Sequence, residues 1–107
     1  MNNFEDKVRK GYELLTDEER RIVSFIPAGK ANCKTARELE PFTGLSQKEL
    51  SRVARHALDV GYPVIACQRG FYVAANYSEV AEYMGREQVR DLQHGKLIAS
   101  CEQFLRG

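Results

Sequence analysis

The sequence predicts a mainly α protein with a small β-hairpin, and three observations carry that expectation. Three capping boxes, Thr16 to Glu19, Thr35 to Glu38 and Ser46 to Glu49, each stand at the start of a pattern with helical spacing. Two short apolar runs, Val64-Ile65-Ala66-Cys67 and Phe71-Tyr72-Val73, flank the turn residues Gln68-Arg69-Gly70. The length of 107 residues with 43% hydrophobic content supports one small domain, residues 1–107, with a single core.

Each element follows from its residues. Phe4, Val8, Tyr12 and Leu15 recur at helical intervals and put one apolar face on a first helix reaching about Leu15. Thr16 then caps a second helix, whose apolar side is Ile22, Val23, Phe25 and Ile26 and which Pro27 and Gly29 end. Thr35 caps a third with a narrow buried stripe, Ala36 and Leu39. Pro41 predicts that this helix is short or 3₁₀-ended, and Gly44 supplies the left-handed residue for the turn. Ser46 opens a fourth helix with Leu50, Val53, Ala54, Ala57 and Leu58 inside, closed by Gly61. The hairpin follows over 64–74. A C-terminal helical extension over 77–106 contains Gly85 and Gly95, each costing about 1 kcal/mol relative to alanine, so it reads as one bent helix or two broken near Gly85.

Charge narrows the function. Sixteen Lys and Arg against fifteen Asp and Glu leave a net +1, which excludes a polycation that holds nucleic acid by bulk attraction. Only residues 46–75 carry a surplus of two, with four bases and two acids. No apolar run is long enough for a membrane span and the N-terminus lacks the basic-then-apolar order of a signal peptide, so a cytoplasmic protein with no membrane partner is expected. Cys33, Cys67 and Cys101 form no C-x-x-C pair and read as packing thiols. With His56 and His94 they fall at no metal-ligand spacing, and no nucleophile, base or phosphate loop stands in a recognisable motif. Neither enzyme activity nor a metal or other cofactor is therefore expected.

If the apolar side of the fourth helix packs inward, Gln47, Lys48, Ser51, Arg52 and Arg55 project outward, with His56 at the margin. Arg pairs with the guanine edge and Gln with adenine, while Lys and Ser suit phosphate oxygens. The same face would also serve as an ordinary solvated surface. Arg69 at the hairpin tip offers a charge and a planar fork to the backbone or minor groove. Thr35 and Arg37 begin the third helix, where amides and dipole favour a phosphate, and Lys30 and Lys34 flank them.

Taken in order, Thr35-Ala36-Arg37-Glu38-Leu39, Thr43-Gly44-Leu45-Ser46, the helix to Val60, Gly61-Tyr62-Pro63-Val64 and Gly70-Phe71-Tyr72-Val73 resemble the winged helix-turn-helix domains of bacterial and phage DNA-binding proteins. The likeness covers 34–74 and extends to about 16–75 with the preceding helix. Glu40-Pro41 departs from it, because such motifs have a small residue and an unbroken helix there. The resemblance implies a small bacterial or phage transcriptional regulator or replication accessory. Residues 46–60 would form the recognition helix in the major groove of double-stranded DNA, and 64–74 the wing. A winged domain that binds protein in a phage or bacterial assembly is the rival. In the extension, Leu97, Ile98, Cys101, Phe104 and Leu105 form a broad apolar side. It would either fold back on the first helix or pair two chains into a homodimer.

Overall fold

A computed structural model describes the backbone of residues 3–90 and 95–106, and the side chains of 4–85 and 99–106. Among the described residues the chain is mainly helical with one two-stranded antiparallel sheet. The elements are α1 (Asn3–Leu14), α2 (Asp17–Val23), a 3₁₀ turn (Lys30–Asn32), α3 (Ala36–Thr43), α4 (Gln47–Val60), β1 (Val64–Cys67), β2 (Gly70–Val73), α5 (Tyr77–Arg90) and α6 (Gly95–Arg106).

All three capping boxes form. The Thr16, Thr35 and Ser46 hydroxyls accept from the amides of Glu19, Glu38 and Glu49, whose carboxylates accept in return from the cap amides. Reciprocal bonding of this kind satisfies two orphan donors at each helix start. Gly44 and Gly61 end α3 and α4 in the left-handed region, at φ 71° and 105°. The turn between these two helices is fixed by buried Thr43, whose hydroxyl donates to the Leu39 carbonyl and accepts from the Leu45 amide, both at 3.2 Å.

Three expectations need correction. At eight residues α3 is short, but it is not 3₁₀-ended and stays α-helical to Thr43, where Gly44 ends it. Pro41 and Arg37 lie on the exposed side, so water can reach the Arg37 carbonyl that proline leaves without a donor, while the buried side at Leu39 is intact. Phe25 is not on the buried side of the second helix. That helix ends at Val23, and the turn beyond it leaves Phe25 38% exposed while returning Ile26 to the core. The C-terminal segment is not broken near Gly85, through which α5 runs to Arg90 with nothing in contact with its Cα face.

The hairpin lies between two hydrophobic clusters. Val64, Phe71 and Val73 pack with Leu15, Ile22, Val23, Leu39, Leu50 and Ala54, the core of α2, α3 and α4. On the opposite face, Ile65 and Tyr72 pack with Phe4, Leu58, Val80, Tyr83, Cys101 and Phe104 from α1, α4, α5 and α6. Alternate strand residues point to opposite faces, so the unbroken apolar runs of β1 and β2 reflect burial on both sides. The other edge of β2 is bordered by the segment entering α3. Lys34 and Phe71 exchange backbone hydrogen bonds of 2.7 and 3.0 Å, and Val73 bonds to Pro27 and Gly29.

Two glycines permit backbones to touch. A Cβ on Gly11 in α1 would sit 2.3 Å from the carbonyl carbon of Gly61, so α1 crosses the end of α4 at close range. Gly70 is the first residue of β2, with φ 132°, and a Cβ there would sit 2.2 Å from the Lys34 carbonyl oxygen.

The C-terminal helix folds back within the chain. Cys101 and Phe104 are buried, the Phe104 ring meets Phe4 and Tyr77 at centroid distances of 5.7 and 5.9 Å, and the Lys7 ammonium donates to the Phe104 carbonyl at 2.8 Å. Lys7 thereby caps α6 and lies over the Tyr77 ring, 4.9 Å from its centroid. Two residues of the face considered for a homodimer are thus covered intramolecularly. Leu97 and Ile98, which belong to the same expectation, lie outside the residues whose side chains are described.

Candidate nucleic-acid interface

The amphipathic pattern of α4 decides which side chains reach solvent. Leu50, Ala54, Ala57 and Leu58 are buried and Val53 is half-buried against the core. Gln47, Lys48, Arg52 and Arg55 are exposed and Ser51 is half-buried, and together with Ser46 these residues line one shallow, open depression. Spacings of four and three along a helix bring 47, 48, 51, 52 and 55 to one face, as the sequence implied. Ser51 and Arg55 also border a narrow cleft lined by Val64 and Ala66 of β1 and Tyr83 of α5, so the face adjoins the hairpin.

This face is cationic at its centre and acidic at its N-terminal edge. Among the described residues, none of Lys48, Arg52, Arg55, Arg37 and Arg69 makes an ion pair. Glu49 opposes them. The Ser46 amide, then the Ser46 hydroxyl and the Arg52 charge, hold its carboxyl below the usual carboxylate range, so it is ionised at neutral pH. Capping confines that negative charge to the first turn.

Arg69 occupies the exposed tip of a two-residue turn, since Cys67 pairs directly with Gly70. The approach of Gly70 to Lys34 and Thr35 brings this tip against the start of α3, and the Cys33 thiol lies 3.7 Å from the Arg69 carbonyl. Arg69, Lys34 and Thr35 are therefore neighbours, although far apart in sequence. The α3 start itself is partly occupied. Thr35 is exposed, but its hydroxyl accepts from the Glu38 amide and also lies 3.2 Å from the Glu38 carboxylate, which takes the Thr35 amide at 2.9 Å. The Thr35 amide chiefly keeps the Glu38 carboxyl below its ordinary range. A phosphate at this end would be left with the amides of Ala36 and Arg37, the first two of the helix, against a fixed negative charge.

Two side chains have partners that no local pattern indicates. Lys30, expected to flank the phosphate site, is instead ion-paired with Glu82, and its amide donates to Glu79 at 3.0 Å. Glu79 also accepts from the Ala75 amide, so one α5 carboxylate gathers the 3₁₀ turn and the end of the hairpin. His56, at the margin of the α4 face, meets Glu19 of α2 at 2.5 Å. The Glu19 carboxylate serves both this contact and the α2 capping box. Burial opposes its ionisation, but the Thr16 amide and His56 outweigh that and lower its pKa.

Among the described residues no three His, Cys, Asp or Glu side chains gather as metal ligands, and no helix is long and apolar enough to cross a membrane. Comparison of the chain with protein-family models, with curated proteins and with solved structures finds no match.

Proposed function

We propose that the chain is a winged helix-turn-helix protein that binds double-stranded DNA, with α4 in the major groove and the hairpin tip on the adjacent backbone or minor groove. The element order supports this reading: helix, bordering segment at Lys34, helix, turn, helix and hairpin, with Lys34 bonded to the second strand. The observation that carries it is the α4 face. Gln47, Lys48, Ser51, Arg52 and Arg55 stand together in solvent without ion-pair partners among the described residues. Unpaired guanidinium groups on a helix able to enter a groove suit base edges and phosphates. Arg69 adds a contact beside Lys34 and Thr35.

Fluorescence anisotropy with a mixed-sequence duplex tests the reading. Affinity should fall by roughly ten- to a thousandfold between about 50 and 200 mM salt if several phosphates are neutralised. Replacing Arg52 and Arg55 by alanine should abolish binding, or lower the log–log salt slope by up to about two, with the thermal midpoint unchanged. Binding that ignores salt, or survives the double variant intact, would remove α4 from the interface. Sequence dependence needs a second measurement, selection from randomised duplexes, which should enrich one motif.

A second reading, a winged domain that binds protein, is favoured by one feature. Phe25 and Phe42 stack in solvent at a ring distance of 5.5 Å on the α2 and α3 side of the molecule.

A further inference from the structure

We infer that the cleft between α4 and the open edge of β1 seats one phosphate group of the duplex backbone, held by the Ser51 hydroxyl, the Arg55 guanidinium and the Ala66 amide. The inference rests on the reading of α4 as a DNA-binding helix, and adds to it a main-chain donor outside that helix. Strand register aims the amide. The Ala74 amide donates to the Pro63 carbonyl, so the alternation of an antiparallel ladder makes Ile65 with Tyr72, and Cys67 with Gly70, the hydrogen-bonded pairs. Ala66 lies between them and turns its amide away from β2. Its opposite number Phe71 does likewise, spending its own amide and carbonyl on Lys34 at the far edge. The cleft is lined from both faces of the hairpin, by Ala54 of the first cluster and Tyr83 packed in the second, and so runs along the open edge of β1.

Three polar groups at this cleft have no partner among the described residues. Ser51 and Arg55 stand one turn apart on α4, and neither the Ser51 hydroxyl nor the Arg55 guanidinium is bonded. The Ala66 amide is unbonded too, although the residue is half-buried. Folded chains seldom leave such a donor unused. Charge and size select the occupant. Among the described residues Arg55 is the one charged side chain lining the cleft, so an anion is favoured, and Arg55 offsets the repulsion of the Ala66 carbonyl on the same edge. A volume of about 120 Å³ falls below the roughly 300–1,000 Å³ of pockets that enclose whole small ligands, and suits a single phosphate.

Continuity names the source of that phosphate. Ser51 and Arg55 line the open α4 face as well as the cleft, so a duplex laid on the face reaches the cleft with its backbone. A bond from the main chain to phosphate carries no sequence information; it fixes how α4 sits in the groove.

Anisotropy of the full chain with a mixed-sequence duplex, over about 50 to 200 mM salt, tests it. Ala66→Pro removes the amide without breaking a ladder bond, since proline is tolerated on an edge strand where the N–H faces outward. Ala66→Pro and Ser51→Ala should each weaken binding by about three- to tenfold and leave the log–log salt slope as it was, because neither removes a charge. Arg55→Gln should lower that slope by about one. The thermal midpoint checks the fold, and should Ala66→Pro depress it, Ser51→Ala decides alone. Amide NMR with inorganic phosphate alone separates the sources: half-saturation at Ala66 above about 10 mM is expected, whereas a value below about 1 mM would assign the cleft to a free phosphate ligand and overturn the inference. Duplex binding that neither Ser51→Ala nor Ala66→Pro weakens would overturn it while leaving α4 as the DNA-binding helix. Absence of duplex binding by the unaltered chain at about 50 mM salt would remove both.

Discussion

Gly11 and Gly70 each sit where one more methyl group meets a backbone. For Gly11 two effects have opposite signs. Alanine in the middle of α1 gains about 1 kcal/mol of helix propensity, yet its Cβ would fall 2.3 Å from Gly61 and force α1 off α4. The neighbour is backbone at a helix end and cannot step aside, so Gly11→Ala should lower the urea midpoint, while a raised midpoint would mean that α1 is loosely held. Gly70→Ala combines a disfavoured φ with collision at the Lys34 carbonyl and should cost about 1–3 kcal/mol or more by the same measurement. Local chemistry of this type is only half legible in sequence. The capping glutamates announce themselves three residues after Thr16, Thr35 and Ser46, because both partners lie in one turn. The need for glycine at 11 depends on Gly61, fifty residues away, and nothing near Gly11 reports it.

At the scale of elements, α2 and α4 share a carboxylate. Glu19 closes the α2 capping box and meets His56 on α4, so the two helices are coupled through one titrating group. Its pKa is lowered from 4.5 in the folded chain, so the stability it contributes is fully present above that value and is lost as pH falls through the lower folded pKa. Glu19→Gln should therefore flatten the acid limb of a stability-against-pH curve below about pH 4.5. An unchanged acid limb would show that the carboxylate is not held by these partners. Leu58, 1% exposed, joins α4 to the second cluster, and Leu58→Ala should cost about 2–5 kcal/mol in chemical denaturation. The inward face of α4 was readable from spacing alone, and so were its outward Arg52 and Arg55. Phe25 was misread as core because it continues the apolar spacing of α2, whereas the backbone leaves the helix after Val23. A 3₁₀ end does not form at Pro41 because that residue falls on the face turned from Leu39, where water can reach the carbonyl it leaves without a donor.

For the whole molecule, the C-terminal helices complete a core that the first seventy-odd residues leave open. Tyr72 and Ile65 face α5 and α6, so a chain ending before α6 would uncover an aromatic surface. Removal of residues 95–106 should lower the thermal midpoint and make the protein bind an apolar dye, an outcome visible by near-ultraviolet dichroism and dye fluorescence. Thiol accessibility provides a second check. Cys33 and Cys67 are half-buried and Cys101 is fully buried, so two thiols should react with an aromatic disulfide in the native state and the third only on unfolding. Equal reactivity of all three would indicate that α6 undocks readily. The two-sided burial of the hairpin was latent in its unbroken apolar runs, but which helices provide the second side follows from long-range packing that no local pattern encodes.

That burial bears on the thermodynamics of any encounter at the hairpin tip. Wings on long free loops lose backbone freedom when they dock, at about 1–2 kcal/mol for each residue that becomes fixed. Here the strands are already immobilised between two cores, and Gly70 is held against Lys34 before a partner arrives. The exposed turn residues Gln68 and Arg69 then have only side-chain freedom left to lose, at about 2 kcal/mol or less each. If the tip meets DNA as proposed, a pre-set geometry of this kind tolerates little variation in groove shape and trades breadth of recognition for a smaller entropic loss on contact.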